Sequence, residues 1–147
     1  MLKIDTKRIH RYCLTIRKNI EDIHFILNTY SDQELLQNRH LLKALKYSLI
    51  EIAEAIANIL QHLLARLKGE ASESYLELVE KTKRAKLIDP KLLSRLTFFF
   101  KFRSFLIHRY WEVDDQRVLR ETRNGYKDFE EFMEAIEKKL SEFQREG

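Results

Sequence analysis

Residues 41–69 read LLKALKYSLIEIAEAIANILQHLLARLKG, and this stretch decides the fold class. Leu42, Leu45, Leu49, Ile52, Ile56, Ile59, Leu63 and Leu67 recur at steps of three and four, the spacing that lines up one face of an α-helix. Ala53, Ala57, Leu60 and Leu64 add a second apolar stripe beside the first, which predicts a central helix with a wide buried face. Gly69 supplies its C-terminal stop.

The same periodicity extends in both directions. Upstream, Ile9, Cys13, Ile16, Ile20, Ile23, Leu27 and Tyr30 predict a helix capped by Asp5 and running to about Thr29. Downstream, 71–87 is amphipathic through Tyr75, Leu78 and Val79 and ends in the basic run Lys81 to Lys86. Asp89-Pro90 opens a further helix, because Asp caps and Pro suits the first helical position. Asp114 or Asp115 caps the last one. Leu119, Thr122, Tyr126, Phe129, Met133, Ile136, Leu140 and Phe143 keep one phase across Asn124-Gly125, which predicts a continuous helix through the glycine.

Composition agrees. The 147 residues hold 3 Gly, 1 Pro and 3 Val against 22 Leu, too few turn-formers and β-branched valines for a sandwich, barrel or Rossmann sheet. Glycines at 69, 125 and 147 exclude a P-loop or dinucleotide fingerprint. The expected architecture is all-α: one domain over 1–147, an up-and-down bundle of four long helices and a shorter fifth. The single Cys13 cannot form an internal disulfide or a Cys-based zinc site, which points to an intracellular, cytoplasmic protein. Neither a signal peptide nor a membrane span is expected.

Charge is uneven. Residues 1–110 carry 20 Lys/Arg against 12 Asp/Glu, and residues 111–147 carry 7 against 11. A basic body with an acidic tail is compatible with a nucleic-acid or nucleotide-handling partner.

Most reactive constellations are missing from the sequence: there is no HExxH, no Cys/His cluster and no G-x-S-x-G. His10, His24, His40 and His62 each stand alone, and Ser72 and Ser74 read as cap or turn residues. Glu51 and Glu54 are neighbours on one helix surface, as a solvated face or as carboxylates able to bind metal. One stretch differs: Arg103, four residues, His108, one residue, Tyr110. Lys101, Arg103 and Arg109 surround it without an acid, among Phe98, Phe99, Phe100, Phe102, Phe105 and Trp111.

A purely structural explanation has Arg103 pairing with Glu112 or Asp114 and His108 facing a helix C-terminus. The chemical explanation is cleavage of RNA without a metal. That reaction needs a group titrating near neutrality to move a proton and a fixed cation against the phosphate. Histidine and the guanidinium fork of arginine meet those needs. Five residues along a regular helix is about 500°, so Arg103 and His108 diverge by roughly 140°. Either the helix distorts before His108 or a second copy completes the site.

The motif Arg103–His108–Tyr110, late in an all-α chain, resembles that of the HEPN superfamily, and within it the HepT-like toxins. Ile4-Asp5 with Arg8-Ile9, Gln61-His62-Leu63-Leu64, and the run His108 to Asp115 are similar as well. The resemblance implies a homodimer whose motifs meet in an interfacial cleft. It also implies a metal-independent endoribonuclease with no cofactor, with Arg103 and His108 catalytic and Lys101, Ser104 and Arg109 in support. The implied partners are an RNA substrate and a minimal nucleotidyltransferase antitoxin that transfers AMP to Tyr110. Many members of this branch carry Asn after the motif arginine, where this chain has Ser104. Other members imply an alternative, a non-catalytic substrate- or nucleotide-binding companion of a nucleotidyltransferase.

Overall fold

The computed structural model describes residues 3–109 and 112–146, with side chains as far as Gln144. Among the described residues the secondary structure is entirely helical. The elements are α1 (Thr6–Thr29), α2 (Asp32–Leu36), α3 (Arg39–Lys68), α4 (Tyr75–Arg84), α5 (Pro90–His108), α6 (Asp115–Gly125) and α7 (Lys127–Glu146).

The starts and stops follow from local chemistry. The carboxylate of Asp5 accepts the Arg8 N–H at 3.0 Å, and Asp114 accepts those of Gln116 and Arg117. Asp89 caps α5, with Pro90 in its first turn. Gly69 ends α3 at φ 65°, where a side chain would be strained, and the N–H groups of Gly69 and Glu70 close back onto Ala65 and Leu64. Two boundaries differ from the sequence expectation. The third helix is confined to Tyr75–Arg84, because Ser74 caps it and Lys86 turns left-handed just beyond it at φ 56°. The short α2 is closed by a Ser31–Glu34 capping box on too few residues to show periodicity.

Four long helices form the body. The start of α1 meets the end of α3, where the Asp5 N–H donates to His62 Nε2 at 2.9 Å. The end of α1 meets the start of α7, where His24 Nδ1 and the Tyr126 hydroxyl lie 3.2 Å apart. The middle of α3 meets the second half of α5 through Glu54 and Arg103. The first two contacts set α1 antiparallel to α3 and to α7, as an up-and-down bundle requires. Ile9, Ile16, Ile23, Leu45, Ile52, Ile56, Ile59, Leu63, Phe129 and Phe132 fill the centre. An 18-residue window of α3 is apolar enough, by composition and length alone, to cross a membrane. Of that window 67% is buried by the surrounding helices, which makes α3 the core of the bundle.

The expected continuous last helix is instead two, which together with the short α2 brings the described helices to seven rather than five. Arg123, near the end of α6, binds Asp32 at 2.7 Å and the Leu27 carbonyl at 3.0 Å, tying that end to the close of α1. Tyr126 then interrupts the helix, and the Phe129 N–H bonds to its carbonyl over three residues. The apolar phase survives the break: Thr122, Phe129, Met133, Ile136 and Leu140 are all buried. Periodicity reports which face is buried, and that face is unbroken here even though the backbone ladder is not.

Gly125 serves packing at this junction. A Cβ there would lie 2.8 Å from Cζ of the buried Phe99 ring. Gly125→Ala gains about 1 kcal/mol of helix propensity and loses about 1–3 kcal/mol to overpacking. Net destabilisation is expected, read as a lower urea midpoint at unchanged m.

His62 gives the fold a pH dependence. Burial, then the charges of Arg66 and Arg8, hold its pKa below the ordinary histidine value, so the neutral ring accepts the Asp5 N–H. The unfolded chain takes up this proton first. The stabilisation is therefore complete above the unfolded pKa of about 6.5 and is lost as pH falls through the lowered folded value. Urea midpoints at neutral and mildly acidic pH should show a smaller acid-side fall in His62→Gln than in the wild type.

Candidate functional site

A cavity of about 760 Å³ opens between α3, the start of α4 and the middle of α5. Glu54, Ala57, Asn58 and Gln61 line it from α3, and Glu73, Ser74, Tyr75, Leu76 and Val79 from the α4 side. Thr97, Phe100, Lys101, Arg103 and Ser104 line it from α5. The sequence builds it simply. Residues three and four apart on α3 and on α5 face one another, and the Ser74 cap fixes where the chain re-enters as α4.

Arg103 is the most constrained charge in the cavity. Its Nη2 donates to Glu54 Oε1 at 2.6 Å, and its guanidinium carbon sits 5.1 Å from the centroid of the Tyr75 ring. Tyr75 in turn stacks on Phe100 at 5.2 Å with 9° between the rings. Burial is the main cause raising the Tyr75 hydroxyl pKa, so it stays protonated at neutral pH. Arg103 Nε is buried without a hydrogen-bond partner. The side chain is thus held flat in one orientation, with donors beyond those Glu54 occupies.

The purely structural explanation pairs Arg103 with Glu112 or Asp114, whereas its partner is Glu54. Arg109 pairs with Glu112 instead, at 3.7 Å, while its backbone caps α5. Glu54, read from the sequence as solvent-facing or metal-binding, is the counter-ion of Arg103. Tyr75 carried no site signal in the sequence, because an aromatic at helical spacing reads as core. No local pattern links 54, 75 and 103, which meet only through packing of three helices.

Lys101 and Ser104 stand beside Arg103 on the cavity wall. His108 does not line it: α5 stays helical as far as His108, which ends the helix exposed to solvent. The helix does not distort to bring His108 to Arg103, so the divergence of about 140° remains. Tyr110 lies outside the described residues. Elsewhere, burial pushes the Cys13 thiol up to about 11, so it is not a thiolate at neutral pH.

The fold and the sequence both have relatives. A tri-AMPylated HEPN toxin of Shewanella oneidensis, solved in complex with an MNT antitoxin, superposes with a TM-score of 0.81 at 21% identity, over 88% of this chain and 96% of that one. A toxin–antitoxin structure containing AMP-PNP gives 0.79 at 22% identity, over 88% and 97%. A mutant MntA–HpeT toxin–antitoxin gives 0.77 at 22% identity, over 89% and 98%. At such identities the likeness speaks for the fold. No curated protein sequence matches the chain. The ribonuclease HepT-like family model matches residues 16–136, which spans the cavity, Arg103 and His108. By that match the chain belongs to the HepT-like ribonuclease family.

Proposed function

We propose that the protein is the toxin of a toxin–antitoxin pair, an endoribonuclease that works without a metal ion. The observation that carries the reading is the orientation of Arg103, pinned by Glu54 and Tyr75 on the wall of a cavity within the family's match. In the proposed reaction the RNA 2′-hydroxyl attacks the adjacent phosphorus while His108 accepts its proton. The bond from phosphorus to the 5′-oxygen breaks, that oxygen takes up a proton, and a cyclic phosphate remains. Arg103 stabilises the charge growing on the phosphoryl oxygens.

One α5 does not converge Arg103 and His108, so two chains pair to assemble the site, each facing the other's motif across a two-fold axis. The inhibitor is a minimal nucleotidyltransferase, as in the solved toxin–antitoxin relatives, and it acts by transferring AMP to Tyr110. Adenylate there adds negative charge and bulk two residues from His108, which disfavours RNA.

The test is incubation of the unmodified protein with RNA in excess EDTA. Cleavage leaving cyclic phosphate ends is expected. Exposure to the nucleotidyltransferase and ATP should add about 329 Da per modified tyrosine and abolish that cleavage. A preparation free of adenylate that cuts no RNA, yet binds the nucleotidyltransferase, would instead identify a non-catalytic companion.

A further inference from the structure

Ser94, Thr97, Lys101, Ser104 and His108 recur along α5 at steps of three, four, three and four. On a regular helix they fall within about 80° of the circumference and span about 21 Å. Ser94, Lys101 and His108 are exposed, Thr97 and Ser104 half-buried, and α5 contains no acidic residue. The stripe is therefore a line of three hydroxyls and one lysine ending on the proposed proton acceptor.

A second helix contributes to it. Tyr75 stacks on Phe100, and Lys83 Nζ donates to the Ser94 hydroxyl at 2.8 Å, so α4 runs antiparallel beside α5. Lys83 thereby sits at the far end of the stripe from His108. Neither Lys83 nor Lys101 has a carboxylate partner among the described residues, whereas Lys81 is held by Glu77 and Arg95 by Glu131 and Asp128. Two carboxylates line the other cavity walls: Glu54, neutralised by Arg103, and Glu73, ahead of α4, while Glu112, just past His108, is paired with Arg109.

We infer that this stripe, with Lys83 and Lys101 as its phosphate contacts, is the track along which a single-stranded RNA backbone is led to His108. The inference rests on the ribonuclease reading and extends it to how substrate is held away from the bond that breaks. Two lysines spaced along a line of hydroxyl donors suit a flexible phosphodiester chain, since such contacts position a strand without reading its bases.

The test uses full-length protein carrying His108→Ala, which binds without cutting, and a labelled single-stranded RNA of about a dozen nucleotides. Adding Lys83→Ala and Lys101→Ala should reduce the slope of log affinity against log salt by about 1.4 and weaken binding on the order of 20-fold at 0.1 M salt. Lys18→Ala with Lys138→Ala, on exposed positions of α1 and α7, removes the same charge elsewhere and should leave the slope near that of the parent. Lys83→Gln with Lys101→Gln removes the charge while keeping a polar side chain and should give the same fall in slope, and thermal melting checks each protein. Equal slopes for the track and control variants, alongside wild-type protein that cuts RNA, would overturn the track alone. A parent that binds no RNA and a wild type that cuts none would remove the ribonuclease reading, and the track with it.

Discussion

Arg103→Ala should lower single-turnover RNA cleavage by about 100- to 1,000-fold, the usual cost of losing one group that stabilises developing charge. His108→Ala should lower it by about 100- to 10,000-fold, the range for a positioned general base. Neither loss should come from unfolding. His108 is exposed at a helix end, and removing Arg103 frees Glu54, a carboxylate still 46% exposed that water can solvate. Arg103→Lys separates charge from geometry. Lysine keeps a cation near Glu54 but loses the planar fork and the stack on Tyr75, so cleavage should fall between wild type and Arg103→Ala. Circular dichroism melting of each variant, beside cleavage in EDTA, makes the distinction. Wild-type rates in Arg103→Ala would remove this residue from the site.

The largest stability effect is expected at Phe129. Its side chain is 0% exposed, and its ring centre lies 4.6 Å from that of Phe99, the ring against which Gly125 packs. Phe129→Ala deletes a ring from the junction of α5, α6 and α7 and should cost about 3–5 kcal/mol. For a domain with a typical stability of about 5–15 kcal/mol that is a large share. Phe25→Ala removes the same group where it is 60% exposed and should stay within about 0.5 kcal/mol. Urea unfolding of the pair measures the contrast; comparable losses at both positions would mean that the junction is not packed as described.

The long helices were legible because their signals are local. Asp5, Asp89-Pro90, Gly69 and Asp114 mark their ends in the sequence and do so in the structure. The interruption at Tyr126 was not, since Leu119 through Leu140 keep one buried phase across it. The contacts that hold the junction there, the tie from Arg123 to the end of α1 and the packing of Phe99 against Gly125, are long-range. The site divides in the same way. Arg103 and His108 stand out as a motif, with Lys101 and Ser104 beside them. Glu54 and Tyr75, which orient Arg103, come from other helices at separations of 49 and 28 residues and leave no local trace. The divergence of Arg103 and His108 could be computed from helical geometry in advance, and α5 retains it.

That divergence allows the account to be tested through complementation. Arg103→Ala and His108→Ala proteins, each inactive alone, are mixed under conditions that exchange subunits, and RNA cleavage is followed in EDTA. If Arg103 of one chain works with His108 of another, mixed pairs contain one intact site, and the mixture should regain a sizeable fraction of wild-type activity. A mixture in which exchange is verified by mass and which stays as inactive as its parents would contradict a site assembled between two copies.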